Sequence, residues 1–321
     1  MSLNLSIWIA PLLALTLAAV LLLLMLRNAD RLPLDHPNAR SLHSRPTPRI
    51  GGLALIPALL VAVLVTTRDS TVLCLMAAVT GLFLLSALDD RRGLPVTLRF
   101  GGHILAAAGA TVLFDLGFAG GIVVLLSIAW MTNLYNFMDG ANGLAGGMAV
   151  CGFATYAIAT RDVNLAILAS AVAGAALGFL FFNFDPARVF LGDAGAIPLG
   201  FLAGVLGIWG FVRDDWPIWF PLLVFAPFVL DASVTLLRRV FRREPFWQAH
   251  REHYYQRMVR MGWTHRRLAG FEYLLMFLTD AWALTLLFLP NQFQWAGVAG
   301  SCAIYAALMN AIDRRWSRWA V

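Results

Sequence analysis

The chain has 321 residues, of which 60% are hydrophobic and only 13% charged, against the roughly 25% charged content of a soluble domain. That balance excludes a soluble protein built on one large core. The net charge of +6 points to anionic headgroups or phosphorylated substrates rather than nucleic acid. Crossing lipid takes about 20 apolar residues. Eleven such runs lie near 3–26, 51–67, 71–88, 100–114, 119–135, 144–160, 164–182, 195–212, 216–237, 268–289 and 294–312, the fourth being the shortest. The first has no positively charged start and no small-residue cleavage site, so it reads as a retained helix rather than a signal peptide. The expected fold is all-α, a polytopic integral membrane protein of about 11 transmembrane helices forming one domain over residues 1–321.

All 24 basic residues are arginine. With a periplasmic amino terminus and eleven alternating helices, only Arg68, Arg161 and Arg213 fall outside, leaving 21 in inner loops or the tail. That asymmetry satisfies the positive-inside rule and puts the carboxyl terminus in the cytoplasm. The outer connections are short. The inner segments 27–50, 89–99, 136–143, 183–194 and 238–267 carry most of the polar residues, so the function is expected at the cytoplasmic face. Cys74, Cys151 and Cys302 lie inside predicted spans without a CxxC or Cys/His cluster, so they read as packing residues and indicate neither zinc nor a disulfide framework. Ser170, Gly174 and Gly178, and Gly200 with Gly204, have the spacing of close helix–helix contacts.

The first inner loop runs from Asp35 to Gly52 and holds Arg45 and Arg49. Three prolines stiffen it, and Gly51-Gly52 open the second helix, where backbone amides can face an anion. The alternative is a positive anchor with a rigid turn. The third run ends in Asp89-Asp90, at the end of a helix where the dipole disfavours carboxylates. They are either a surface pair neutralised by Arg91 and Arg92 or an acid pair suited to proton transfer or cation binding.

Asn136, Asp139, Gly140, Asn142 and Gly143 precede the sixth run, and Asp139 or Asn142 is expected to cap it. The remaining polar groups are free to coordinate a cation and a phosphorylated ligand. After the seventh run, Asn183 is followed by Gly192-Asp193-Ala194-Gly195, where Asp193 again reads as a cap or a ligand. Two such acids suit magnesium, which commonly takes one or two carboxylates plus substrate phosphates. Asp231, inside the ninth run, is costly in lipid and reads either as functional, lining the inner end of the site, or as paired with a neighbouring helix. The last inner loop carries His250, Arg251 and His253. On a helix the histidines would share a face, and they suit a diphosphate better than zinc. The bland reading is an amphipathic segment lying on the membrane.

In order, PNARSLHSRPTPRIGG, DD, NFMDGANG, NFDPARVFLGDAG and HREHYYQR, from about residue 35 to residue 257, resemble the polyprenyl-phosphate N-acetylhexosamine-1-phosphate transferases, glycosyltransferase family 4. That superfamily includes the translocase of the first peptidoglycan lipid intermediate and the enzymes that start O-antigen and teichoic acid chains. The resemblance implies that Asp89 and Asp90 handle the lipid phosphate and its proton, making them catalytic candidates with Asp139. It implies magnesium, or manganese in its place, on Asp193 with Asp139 close by. It places Asn136 and Asn183 near the nucleotide-sugar and His253 toward the diphosphate. Asn142 stands where many members have a second Asp, so it can bind substrate but cannot serve as a base. Tyr255 and Gln256 replace further histidines. HREHYYQR is similar to the O-antigen-initiating branch.

The expected reaction is transfer of a hexosamine-1-phosphate from a UDP-sugar to undecaprenyl phosphate, releasing UMP, at the cytoplasmic face of a bacterial inner membrane. Arg45, Arg49 and Arg251 are expected to clamp phosphates, with His250 beside them. The expected partners are undecaprenyl phosphate, a UDP-N-acetylhexosamine or its 6-deoxy derivative, membrane lipids and, as an open option, a second copy of the chain. A solute transporter and a lipid-binding scaffold are the rival classes. Transporter sites tend toward the bilayer midplane and often show repeats, and neither feature is visible in this sequence.

Overall fold

The computed structural model of the protein describes residues 5–319 except 29–33, 38–41, 43, 44, 115 and 246–249. Much of the PNARSLHS motif, Asp115 and part of the last inner loop therefore lie outside the described residues. The helices follow the apolar runs. They are α1 (Ser6–Leu26), α2 (Gly51–Thr66), α3 (Ser70–Arg92), α4 (Val96–Val112), α5 (Gly117–Phe137), α6 (Leu144–Ala159), α7 (Val163–Asn183), α8 (Asp193–Val212), α9 (Trp219–Val224), α10 (Ala226–Phe241), α11 (Tyr254–Arg260), α12 (His265–Leu286) and α13 (Asn291–Trp319). Six of them, α1, α3, α5, α7, α8 and α13, are by themselves long and apolar enough to cross a bilayer, while α2 and α6 are shorter apolar helices.

Two features depart from the expected pattern. The run 216–237 is broken into α9 and α10 at Phe225, whose ψ of 16° leaves the helical region. Pro227 follows in the first turn of α10, where its missing N–H is tolerated. The first loop also contains a strand pair, β1 (Leu34–Asp35) antiparallel to β2 (Thr47–Pro48).

The predicted small-residue stripes pack as expected. On α7, a Cβ at Gly174 would collide with the Pro11 carbonyl and one at Gly178 would lie 2.5 Å from the Leu15 carbonyl. Opposite them, α1 buries Ala10, Ala14, Ala18 and Leu22, one residue per turn. On α8, a Cβ at Gly200 would sit 2.8 Å from the Met131 carbonyl of α5. Backbones approach this closely only where side chains are absent, and in lipid that packing supplies much of the association energy. Nearly all of α8 is buried, so it forms the centre of the bundle. By contrast, α13 buries only Ser301 and Tyr305 among its described residues. Leu105, Val112, Phe118 and Phe288 are at least three-quarters exposed, as expected of a surface meeting hydrocarbon rather than water.

Candidate active site

A cavity of about 530 Å³ opens at one end of the bundle, within the range of sites that take a small ligand. Its lining residues come from all five of the polar segments. They are Asp35, Leu42 and Arg49; Arg99; Asn136, Asp139, Gly140, Ala141 and Asn142; Asn183, Phe190, Gly192 and Asp193; and His250, Gln256 and His265. Seven of the residues singled out from sequence are therefore on one wall or another.

Asp139 and Asp193 do not cap the helices they precede. The N-cap of α6 is Gly143, at φ 78°, and the N-cap of α8 is Gly192, at φ 71°; neither start has a local side-chain cap. A positive φ suits glycine alone among common residues at little cost. The caps come from elsewhere. Asn183 Oδ1 accepts from Gly143 N–H at 2.9 Å, and Asp90 Oδ2 accepts from Ala194 N–H at 3.2 Å. Asp90 thus ends one helix yet meets the favourable, amino-terminal end of another helix's dipole. Asp139 and Asp193 face the cavity, Asp139 also meeting the amide at the start of α8. Burial, then the neighbouring Asp193 carboxylate, pushes Asp139 up to about 7, while Arg49 and a hydrogen bond from the Gly192 amide pull the other way.

The Gly51 and Gly52 amides do not face an anion. They donate to the carbonyls of Phe190 and Leu191, both at 2.8 Å. A Cβ at Gly51 would lie 2.8 Å from the Phe190 carbonyl, so the glycine pair lets α2 dock directly on the loop before α8. Arg49, bridged to Phe190 by backbone pairing, is set on the cavity wall and pairs with Asp35 at 2.9 Å.

Asp89 is paired with Arg99 at 2.9 Å rather than with Arg91 or Arg92, and it also accepts from Leu94 N–H at 2.6 Å. Arg99 lines the cavity 4.0 Å from Asp193. Asp89 is therefore off the wall, holding Arg99 against it.

His250 and His253 do not share a helix face. His250 lies in the coil before α11, and His253 is the N-cap residue of α11, although their rings are 4.9 Å apart. Only His250 lines the cavity. Its Nδ1 accepts from Glu252 N–H at 3.4 Å, which leaves Nε2 to carry the donor hydrogen. Burial, then the charge of His253, pulls His250 down to about 4, so it is a neutral donor at ordinary pH.

His253 is 3% exposed, with Nδ1 donating to Asp231 Oδ1 at 3.1 Å. Asp231 also accepts from Tyr254 N–H at 2.9 Å and Tyr255 N–H at 3.0 Å. It does not line the cavity. It caps α11 from α10 and so sets the chain that carries His250 and Gln256. Arg45 is exposed and Arg251 half-buried, and neither lines the cavity. Asn183 reaches the cavity, yet its Oδ1 accepts from Gly143 N–H and its Nδ2 donates to Val189 O at 2.9 Å. It is a strut between two loops.

Among the described residues no group of three or more His, Cys, Asp and Glu side chains forms, so no all-protein zinc cage is built. Two carboxylates on a polar wall fit magnesium better, because it takes few protein ligands and keeps water and substrate phosphate.

A family model described as "Glycosyl transferase family 4" matches residues 72–211. Over 275 residues the chain is 29% identical to a probable undecaprenyl-phosphate N-acetylglucosaminyl 1-phosphate transferase of Bacillus subtilis, covering 78% of this chain and 76% of that one. It is 30% identical over 334 aligned positions to a decaprenyl-phosphate N-acetylglucosaminephosphotransferase of Mycolicibacterium smegmatis, covering 87% of this chain and 82% of the relative. The chain belongs to this family of polyprenyl-phosphate hexosamine-1-phosphate transferases. A phospho-N-acetylmuramoyl-pentapeptide-transferase of Geobacillus kaustophilus is similar as well, 29% identical over 285 residues, 75% of this chain and 81% of the relative.

The family match spans Asp89, Asp90, Asn136, Asp139, Asn142, Asn183 and Asp193 and stops before the histidine loop. Arg99, Asp185 and His265 were not among the candidates the sequence offered, and Gln256 stood out only as a departure from the family pattern. Arg99 lies on the first turn of α4, across the loop from the aspartate pair at the end of α3, a nearness readable only once Gly93 is known to end α3. Gln256 lines the cavity while its Oε1 accepts from His253 N–H at 3.2 Å. The replacement Tyr255 packs on Gly140 and donates to Phe137 O at 3.1 Å.

Proposed function

We propose that this protein transfers an N-acetylhexosamine-1-phosphate, or its 6-deoxy counterpart, from a UDP-sugar to undecaprenyl phosphate, forming undecaprenyl-diphosphate-sugar and UMP. One observation carries the reading: Asp139 and Asp193, neither capping its own adjacent helix, face the same cavity as Arg49, Arg99 and the neutral donor His250. The names of the similar proteins support a polyprenyl phosphate acceptor and a sugar-phosphate donor. An oxygen of the lipid phosphate attacks the β-phosphorus of the donor. The bond from that phosphorus to the bridging oxygen breaks, and UMP leaves with the electron pair. Arg49, Arg99 and the His250 Nε2–H hold the diphosphate oxygens and orient the in-line attack. Asp89 keeps Arg99 in place, and Asp90 holds the first turn of α8 that carries Asp193. Asp139 and Asp193 are the residues that would hold magnesium, which when bound supplies neutralisation of phosphate charge.

The chain is read as crossing a bacterial inner membrane eleven times with the cavity in the cytoplasm, and its product as the first lipid intermediate of O-antigen or another envelope polysaccharide. In a cysteine-free background, Arg161→Cys should label from outside the cell and Arg45→Cys only after permeabilisation. The decisive assay mixes purified protein, undecaprenyl phosphate, magnesium and a panel of UDP-sugars headed by UDP-N-acetylglucosamine. UMP and a lipid diphosphate-sugar are expected with at least one donor. No UMP with any sugar, alongside solute movement into proteoliposomes, would replace this reading with a transporter.

A further inference from the structure

Asn142 and Asp185 belong to different loops and meet at the cavity rim, where Asn142 Nδ2 donates to Asp185 Oδ1 at 2.9 Å. Asn142 lines the cavity and Asp185 stands behind it, off the wall. The backbone around them is fixed on every side. Asn142 N–H donates to His265 Nδ1 at 3.2 Å, and His265 Nε2 donates in turn to Leu42 O at 3.1 Å. Arg266 Nη2 donates to the Asp185 carbonyl oxygen at 3.2 Å, and Tyr273 Oη donates to Gly143 O at 2.7 Å. An ionised carboxylate has acceptors only, so the Asn142 amide must turn its NH2 toward Asp185. Its carbonyl oxygen then points away from Asp185, and no described residue donates to that oxygen.

We infer that Asp185 is a positioning residue: it fixes the Asn142 amide so that the carbonyl oxygen is presented to the nucleotide-sugar as acceptor for one of its N–H or O–H groups. This rests on the reading of the cavity as a UDP-sugar site. Without the Asp185 carboxylate the amide is free to rotate by half a turn and offer NH2 in place of the acceptor. With N142D alone, two carboxylates would meet across a hydrogen-bond distance and repel. Exchanging the pair, N142D with D185N, restores a donor–acceptor contact and again leaves a carboxylate oxygen toward the cavity.

The test is calorimetric titration of the purified full-length protein, with no lipid acceptor, using UMP and UDP-N-acetylglucosamine as probes. D185N and N142D should each weaken binding of the nucleotide-sugar by about tenfold, and the exchanged pair should recover to within about threefold of the wild type. Equal losses for UMP place the recognised group on the nucleoside. A loss confined to the nucleotide-sugar places it on the sugar or its linkage. In turnover, D185N should raise the KM for the sugar donor and leave both the KM for undecaprenyl phosphate and the melting temperature unchanged, which a merely structural role would not do. D185N binding as the wild type does, or an exchanged pair no better than the single variants, overturns the inference and leaves the functional reading standing. Wild-type protein that binds neither probe overturns the UDP-sugar reading and this inference with it.

Discussion

At the end of the bundle remote from the cavity, Asp69 accepts from Val72 N–H at 3.0 Å, and Asp162 accepts from Asn164 and Leu165 N–H at 2.9 and 3.3 Å. Each acid caps the helix it precedes. At the cavity end, Asp139 and Asp193 also stand at helix starts, yet those helices are capped by Asn183 and Asp90 from elsewhere in the fold. The same holds for α2, whose first amides go to Phe190 and Leu191 carbonyls, and for α11, capped by Asp231. One sequence device, an acid before a helix, is structural at one end and available for chemistry at the other. What separates the two is whether a distant group has taken over the orphan amides that every helix start leaves.

That contrast can be tested from both ends. The largest effect should follow from Asp193→Ala or Asp139→Ala. UMP formation should fall at least about a hundredfold, as for loss of a group that stabilises developing charge. Stability should change by no more than about 0.5 kcal/mol for Asp193→Ala, which caps no helix, and by about 1 kcal/mol for Asp139→Ala, which loses the hydrogen bond from the Gly192 amide. Thermal unfolding of the purified variants reads the second part, and a large drop in melting temperature would return these acids to a structural role.

Asp231→Ala should lower both quantities. It strands two buried amides, at about 1–3 kcal/mol each, and loosens the segment bearing His250 and Gln256. Turnover falling with no change in melting temperature would contradict the capping role. At the remote end, Asp162→Ala should lower stability by about 0.5–2 kcal/mol, the usual cost of a lost cap, and leave turnover alone. Impaired turnover there would erase the difference between the two ends.

The smallest effect concerns pH. His250 sits near 4 in the folded protein against an ordinary 6.5, chiefly through burial and next through His253 and Arg239. A histidine held low is neutral when folded and gains a proton on unfolding. The stability it contributes is present above about pH 6.5 and is lost as pH falls toward about 4. Melting temperatures taken from pH 7 down to 4 should therefore drop more steeply for the wild type than for His250→Gln. Parallel curves would show that His250 is not held neutral by its surroundings.

Much of the architecture was legible in the residues. Apolar runs placed the helices, and the glycines at 174, 178, 200 and 204 marked where α7 and α8 take in α1 and α5, because a helix backbone can be approached that closely only where side chains are missing. The break between α9 and α10 was less legible, since hydropathy does not register a single residue leaving the helical region. For the site, the acid and amide types of the loops were readable, but their duties were not. Asp231 read either as lining the inner end of the site or as paired with a neighbouring helix, and the second holds: it caps α11. His253 read as facing the diphosphate and is buried against Asp231. Arg99 and His265 drew no notice, because nothing local distinguishes them from other polar residues at helix starts.

The sequence by itself determined the membrane class, the positions of the helices and the presence of paired acids, amides and histidines in the loops between them. Those properties follow from composition and spacing along one chain. The tertiary structure alone decided which of these groups remain free. A hydrogen bond such as that from Ala194 N–H to Asp90 joins residues 104 positions apart, and only the packed bundle brings such partners within reach. Asp139, Asp193 and His250 face a cavity because more distant partners satisfy the helix starts around them.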